Sequence, residues 1–361
     1  MPDTLISKAF FGKMPDGETV EVFTLTNRQG CSMEVLSLGG IIRSLYTPDL
    51  QGHMADVMVG FDHVDGYLAD TASVGVIVGR FANRIAHGRF PLDGKMVQVS
   101  TNEGPNCLHG GYESWGKRIW EVIPEETPEG PSIQLFLSVP DGEEGFPGQL
   151  EVTVRYLLRH DGALQIDYEA LTSAPTIINL THHAYFHLGG QAGIGDHWLQ
   201  VDADEYVKVG EGAIPTGDLA PVAGTPLDFR HSRRIGDALG SAHPDIELQH
   251  GLDFTWVLNQ PGTENLQASL YEPHTGRRLD VYTDVPGLQV YTANFLNITG
   301  KAGEVFGKQS SICLETQHFP DSPNHPHFPS TVLRPGEVYR QSTLYRFGVG
   351  SDAGGRTGST G

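Results

Sequence analysis

Cysteine, positive charge and long apolar runs are all scarce in this chain of 361 residues. The 3 cysteines (Cys31, Cys107 and Cys313) are odd in number, far apart and without a CxxC pair. That excludes a disulfide framework and points to a reducing compartment, the cytoplasm. Lys and Arg number 24 against 44 Asp and Glu, a formal charge of -20. So acidic a surface argues against nucleic acid and anionic membranes, both of which demand basic partners. It also disfavours phosphorylated substrates unless a few arginines gather locally, and a neutral small molecule is the easier partner. No apolar stretch reaches the ~18 residues of a membrane span. The opening MPDTLISKAFFGK has no apolar core behind positive charge, so no signal peptide is expected. The glycosylation triplets at Asn179 and Asn297 are idle without secretion.

Turn residues are abundant. Gly 45 and Pro 23 with no Gly-X-Y period suggest many short strands joined by turns. Period-two alternation supports this. Val152, Val154, Tyr156 and Leu158 share one side of a strand, and Leu164, Ile166, Tyr168 and Ala170 return after a turn at Asp161-Gly162. SIQLFLSV from Ser132 also reads as a strand, as does LDVYTDVPGLQVYTANFL from Leu279, broken at Pro286-Gly287. One short helix is expected around Ser232 to Leu239. The expectation is an all-β protein, one large antiparallel β-sandwich over residues 1–350, with a disordered tail over 351–361 that lacks apolar anchors.

NLTHHAYFHL, from Asn179, places histidines at 182, 183 and 187. As a strand it carries Asn179, Thr181, His183, Tyr185 and His187 on one polar face, and Ile178, Leu180, His182, Ala184, Phe186 and Leu188 on an apolar one. His182 then reads as a core histidine. His183 reads either as a hydrogen-bonded ring in a polar layer or as a functional group. Neighbours on opposite faces cannot chelate one ion. His183 and His187 stand roughly 13 Å apart on a strand, beyond a shared metal at ~2 Å ligand distances. No metal is expected.

In SSICLETQHFPDSPNHPHFP, from Ser310, Ile312 and Leu314 share one face while Cys313, Glu315 and Gln317 share the other. A carboxylate in such a strand is costly to bury unless it is paired or used, so Glu315 is either half of a structural ion pair or a working group. GVIVGRFANRIAHGRF delivers Arg80, Asn83 and Arg84 after an apolar run. NCLHGG sets His109 among turn residues, and GLDFTWVL puts Asp253 before a buried-looking strand. Taken singly, each stretch reads as scaffold as readily as site.

Together and in order, GRFANRI (79–85), LHGG (108–111), NLTHHAYFHL (179–188), GLDF (251–254), GLQVYTANFL (287–296) and ETQHFPDSPNHP (315–326) resemble the aldose 1-epimerase (galactose mutarotase) family, and LRPGEVY from Leu333 is similar too. The resemblance implies a large antiparallel β-sandwich and an isomerase that interconverts the α and β anomers of free hexoses such as galactose and glucose. It implies Glu315 as general base and His183 as general acid. Asn83, Arg84, His109, Tyr185, Asp253 and Gln289 would hold sugar hydroxyls or orient the pair. The partner is a small aldose, and no cofactor is expected because the reaction has no redox step. An acidic neighbour, Asp253 or Glu315, is expected to keep His183 protonated near neutrality. Two departures stand out: the family usually has Asn-His at His182-His183, and often an aromatic or polar residue other than Phe254 after the acid. Alternation turns His182 away from the site, which makes the first change tolerable. The rival readings are a hexose-6-phosphate 1-epimerase, a non-catalytic carbohydrate-binding protein on the same sandwich, and a metal-dependent isomerase.

Overall fold

The computed structural model describes residues 5–189 and 193–350. The tail expected over 351–361 lies outside them. The described chain is an antiparallel β-sandwich with three short α-helices, Val64–Ala69, Ile235–Leu239 and Pro244–Leu248. The second of these lies within the expected 232–239 stretch, after a short strand at Arg233–Arg234. Among the described residues, no helix is long and apolar enough to cross a membrane.

Three larger sheets make up the body. A five-stranded meander comes from the N-terminal part, from Ile6–Lys13 to Met54–Asp56. A nine-stranded sheet has Tyr339–Val349 at its middle, flanked by the hairpin Leu150–Leu158 and Ala163–Thr172. Its register pairs Val154 with Tyr168, Tyr156 with Ile166 and Leu158 with Leu164. The expected alternating residues are therefore the ones that face the core, all of them buried. A six-stranded sheet runs in the order Tyr185–Phe186, Ile312–Gln317, Gly287–Tyr291, Asp253–Val257, Glu205–Val209 and Pro215–Pro221.

The break at Pro286-Gly287 has a clear purpose. Arg277–Thr283 belongs to the nine-stranded sheet and Gly287–Tyr291 to the six-stranded one, so this turn carries the chain across the sandwich. Proline donates no hydrogen bond to a ladder, which makes it a natural residue for leaving one sheet. Between the layers lies one apolar cluster that includes Trp115, Trp120, Tyr156, Phe186, Phe254 and Trp256.

Lys301 ties the meander to a turn far along the chain. Its ammonium donates to the Arg43 and Met58 carbonyls, to Ser44 Oγ and, at 2.6 Å, to Asp56 Oδ2. Both charged side chains are largely buried. A Lys301→Met variant, which strands Asp56 without its cation, is expected to lose about 3 kcal/mol of stability. Chemical denaturation checks this, and an unchanged midpoint would contradict it.

Candidate active site

The pleat explains why seven polar groups gather on one face. Residues two apart in a strand point the same way, and residues in register across strands stand side by side. Thr255 pairs with Gln289 and Gln289 with Glu315, forming one row across three strands. Asp253, Tyr291, Cys313 and Tyr185 form the next row on the same face. Thr255 Oγ1 donates to Gln289 Oε1, and Gln289 Nε2 donates to Asp253 Oδ1, both at 2.5 Å. Gln289 is thereby locked as a bridge. Glu315 lies beside it, 2% exposed, with Oε2 free of any hydrogen bond among the described residues.

His183 arrives from another direction. The stretch expected to be one strand is three two-residue strands, Thr176–Ile177, Thr181–His182 and Tyr185–Phe186, because it pairs in turn with three different partners. The predicted facing nonetheless holds at its centre. His183 stacks on Tyr185 with ring centroids 4.9 Å apart and meets His109 edge-on at 5.4 Å. His182 turns the other way, edge-on to Tyr156 in the core. The polar face does not hold at its ends. Asn179 braces the backbone at Ala82 and His318, and His187 packs on Phe306.

His109 and Arg84 close the opposite wall. Asn83 and His109 both adopt positive φ and are tied together, with the Asn83 N–H donating to His109 Nδ1 at 3.2 Å. That bond leaves the His109 proton on Nε2. Gly110 allows the close approach of this loop, since a Cβ there would lie 2.2 Å from the Gly79 carbonyl oxygen. Arg84 is clamped by Glu103 through two bonds of 2.7 Å.

All eight candidate residues (Asn83, Arg84, His109, His183, Tyr185, Asp253, Gln289 and Glu315) line one cleft of about 260 Å³. Arg80, delivered by the same apolar run as Asn83 and Arg84, does not line it; it is buried against the Pro147 and Gly148 carbonyls. The cleft also holds Glu103, Tyr291, Phe295 and Thr71, which sequence reasoning did not single out. Tyr291 was within reach, two residues beyond Gln289 on the same face. Phe254, the second departure, points away from the cleft into the core between Tyr206 and Trp256.

His183 Nε2 and Glu315 Oε1 are 3.7 Å apart. Against the expectation of a protonated His183, burial pushes its pKa down to about 4, which favours the neutral imidazole. Burial also raises Glu315 well above the carboxylate range, Asp253 adding to the rise and Arg84 opposing it. His109 is held neutral by burial, with His183 and Arg84 contributing. Among the described residues, His183, Cys313 and Glu315 form a group whose ligand-type atoms lie within 4.8 Å of one another. The Cys313 thiol in it is fully buried and burial drives its pKa up, which disfavours the thiolate a metal needs.

The family model described as aldose 1-epimerase matches residues 21–346. A protein named galactose mutarotase from Mus musculus is 43% identical over 349 residues, covering 95% of this chain and 99% of its own. A protein named aldose 1-epimerase from Escherichia coli strain K12 is 37% identical over 338 residues, covering 92% of this chain and 96% of its own. The crystal structure of a galactose 1-epimerase from Lactobacillus acidophilus superposes with a TM-score of 0.86 at 30% identity, covering 96% of this chain and 99% of that one. These relatives place the chain among the sugar isomerases. This chain belongs to the aldose 1-epimerase family.

The neutral histidines have a consequence for stability. Burial lowers His182 to about 3 and His183 to about 4. As pH falls below about 6.5, the unfolded chain binds protons that the native rings refuse until far lower pH. Native stability is therefore lost on acidification, by about 1.4 kcal/mol per pH unit for each ring. His182→Asn removes one such ring. Its unfolding temperature is expected to fall less than the wild type's between about pH 7 and about pH 5, and equal falls would contradict this.

Proposed function

We propose that the protein is a mutarotase acting on free hexoses such as galactose and glucose, with Glu315 as base and His183 as acid. The observation that carries this is the 3.7 Å approach of His183 Nε2 to Glu315 Oε1 in a cleft lined by polar side chains. In a pyranose, O1 and the ring oxygen O5 are both bonded to C1. An acid and a base side by side therefore reach both oxygens, and need not flank the acetal from opposite sides.

Glu315 takes the O1 proton, the O1 electrons form the carbonyl, the C1–O5 bond breaks, and O5 takes the proton from His183 Nε2. Rotation about C1–C2 by about half a turn presents the other carbonyl face, and the same transfers in reverse close the ring. Each state carries one mobile proton on the pair: Glu315 ionised with His183 cationic, or both neutral. Burial favours the neutral pair. Sugar hydroxyls donating to the carboxylate replace its lost hydration and bring the charged form within reach. His109 Nε2–H, Asp253, Gln289 and Asn83 suit a ring of hydroxyls. Arg84, the one cation lining the cleft among the described residues, is already clamped by Glu103, which leaves a phosphate poorly served and favours the unphosphorylated sugar. Three buried free cysteines fit a cytoplasmic setting.

Polarimetry on fresh α-D-galactose and α-D-glucose tests the activity. Glu315→Gln is expected to abolish turnover while keeping galactose affinity, and His183→Asn to lower kcat by about 10²–10⁴. Wild-type turnover in His183→Asn, or loss of binding by a folded Glu315→Gln, would overturn the assignment.

A further inference from the structure

The other nitrogen of His183 faces away from Glu315, and the ring also has its own backbone carbonyl within reach. Nδ1 faces the Cys313 sulfur at 3.6 Å. Cys313 is two residues before Glu315 on the same strand face, and it pairs with Tyr185, the ring on which His183 stacks. The sulfur is fully buried and does not line the cleft. It therefore touches no sugar, and its one hydrogen-bonding contact among the described residues is with the proposed acid.

Proton economy decides what the contact does. If Nε2 is to carry a proton in one half of the cycle and lose it in the other, Nδ1 must keep its own throughout. Otherwise ring opening would leave an imidazolate. Which ring nitrogen holds the proton is set by the partner of the other. Accepting the acid role proposed above for His183, we infer that Cys313 is a positioning residue whose sulfur lone pair accepts the Nδ1–H, leaving Nε2 as the sole site of proton exchange. A carboxylate at this position would do the same more strongly, but its charge would hold the proton on the ring. A neutral thiol sets the tautomer and leaves Nε2–H a ready donor.

The test uses the full chain with nitrogen-15-labelled histidine. Ring nitrogen shifts of His183 are read without substrate, alongside kcat and KM for α-D-galactose. The wild type is expected to show protonated Nδ1 and bare Nε2. Cys313→Ser, which keeps a lone pair in place, is expected to keep that tautomer and most of kcat. Cys313→Ala is expected to shift the proton towards Nε2 and to lower kcat about tenfold, with KM nearly unchanged. A wild-type Nε2–H tautomer would overturn the inference. So would Ala and Ser variants that lose kcat equally, with falling unfolding temperature and an unchanged tautomer, since packing alone then accounts for the residue. A wild type that binds galactose without interconverting its anomers sinks the catalytic assignment instead. The substrate-free tautomer still tests the sulfur contact in that case.

Discussion

Register between two strands is the constraint on which the rest depends. Gly287–Tyr291 and Ile312–Gln317 pair so that Gln289 stands opposite Glu315 and Tyr291 opposite Cys313. A slip of one residue would turn Glu315 into the apolar core and push Leu314 into the cleft. What prevents it is the other face of the same strands: Leu288, Val290, Ile312 and Leu314 are all buried in the central cluster. Burying these aliphatic groups is what fixes the polar row, so the core and the cleft are specified by the same alternation.

That burial also sets the electrostatics. The proposed acid and base lie in a water-poor layer where each is more comfortable uncharged. A carboxylate and an imidazolium made there interact far more strongly than in water, which suits groups that must exchange one proton repeatedly. Gln289, bonded to both Thr255 and Asp253, cannot reorient as this happens. In the proposed cycle the cleft would hold its polar groups fixed while the proton moves.

Much of this was legible in the residues. The hairpin through Asp161-Gly162, the break at Pro286-Gly287 and the opposite facing of His182 and His183 all follow from period two and turn chemistry. The residues placed in the site by family likeness do share one cleft. Two kinds of feature stayed hidden. Glu103 clamps Arg84 from a loop of irregular conformation, where no period indicates direction. The neutrality of His183 depends on how completely neighbouring layers cover it, a property of the packed whole that no local pattern records. The polar face from Asn179 to His187 was read as continuous because alternation cannot reveal that the backbone changes partner every few residues.

The cleft draws its walls from Thr71 at one end of the chain's span to Glu315 at the other, and the strands between are stitched across layers. Contacts of such long range form late, after many loops have closed, so folding is expected to be slow for the chain's size. No fragment that lacks part of the stretch from Thr71 to Glu315 contains every wall of the cleft. A truncation anywhere between those positions removes one wall, and a nascent chain lacks a complete cleft until the strand bearing Glu315 emerges.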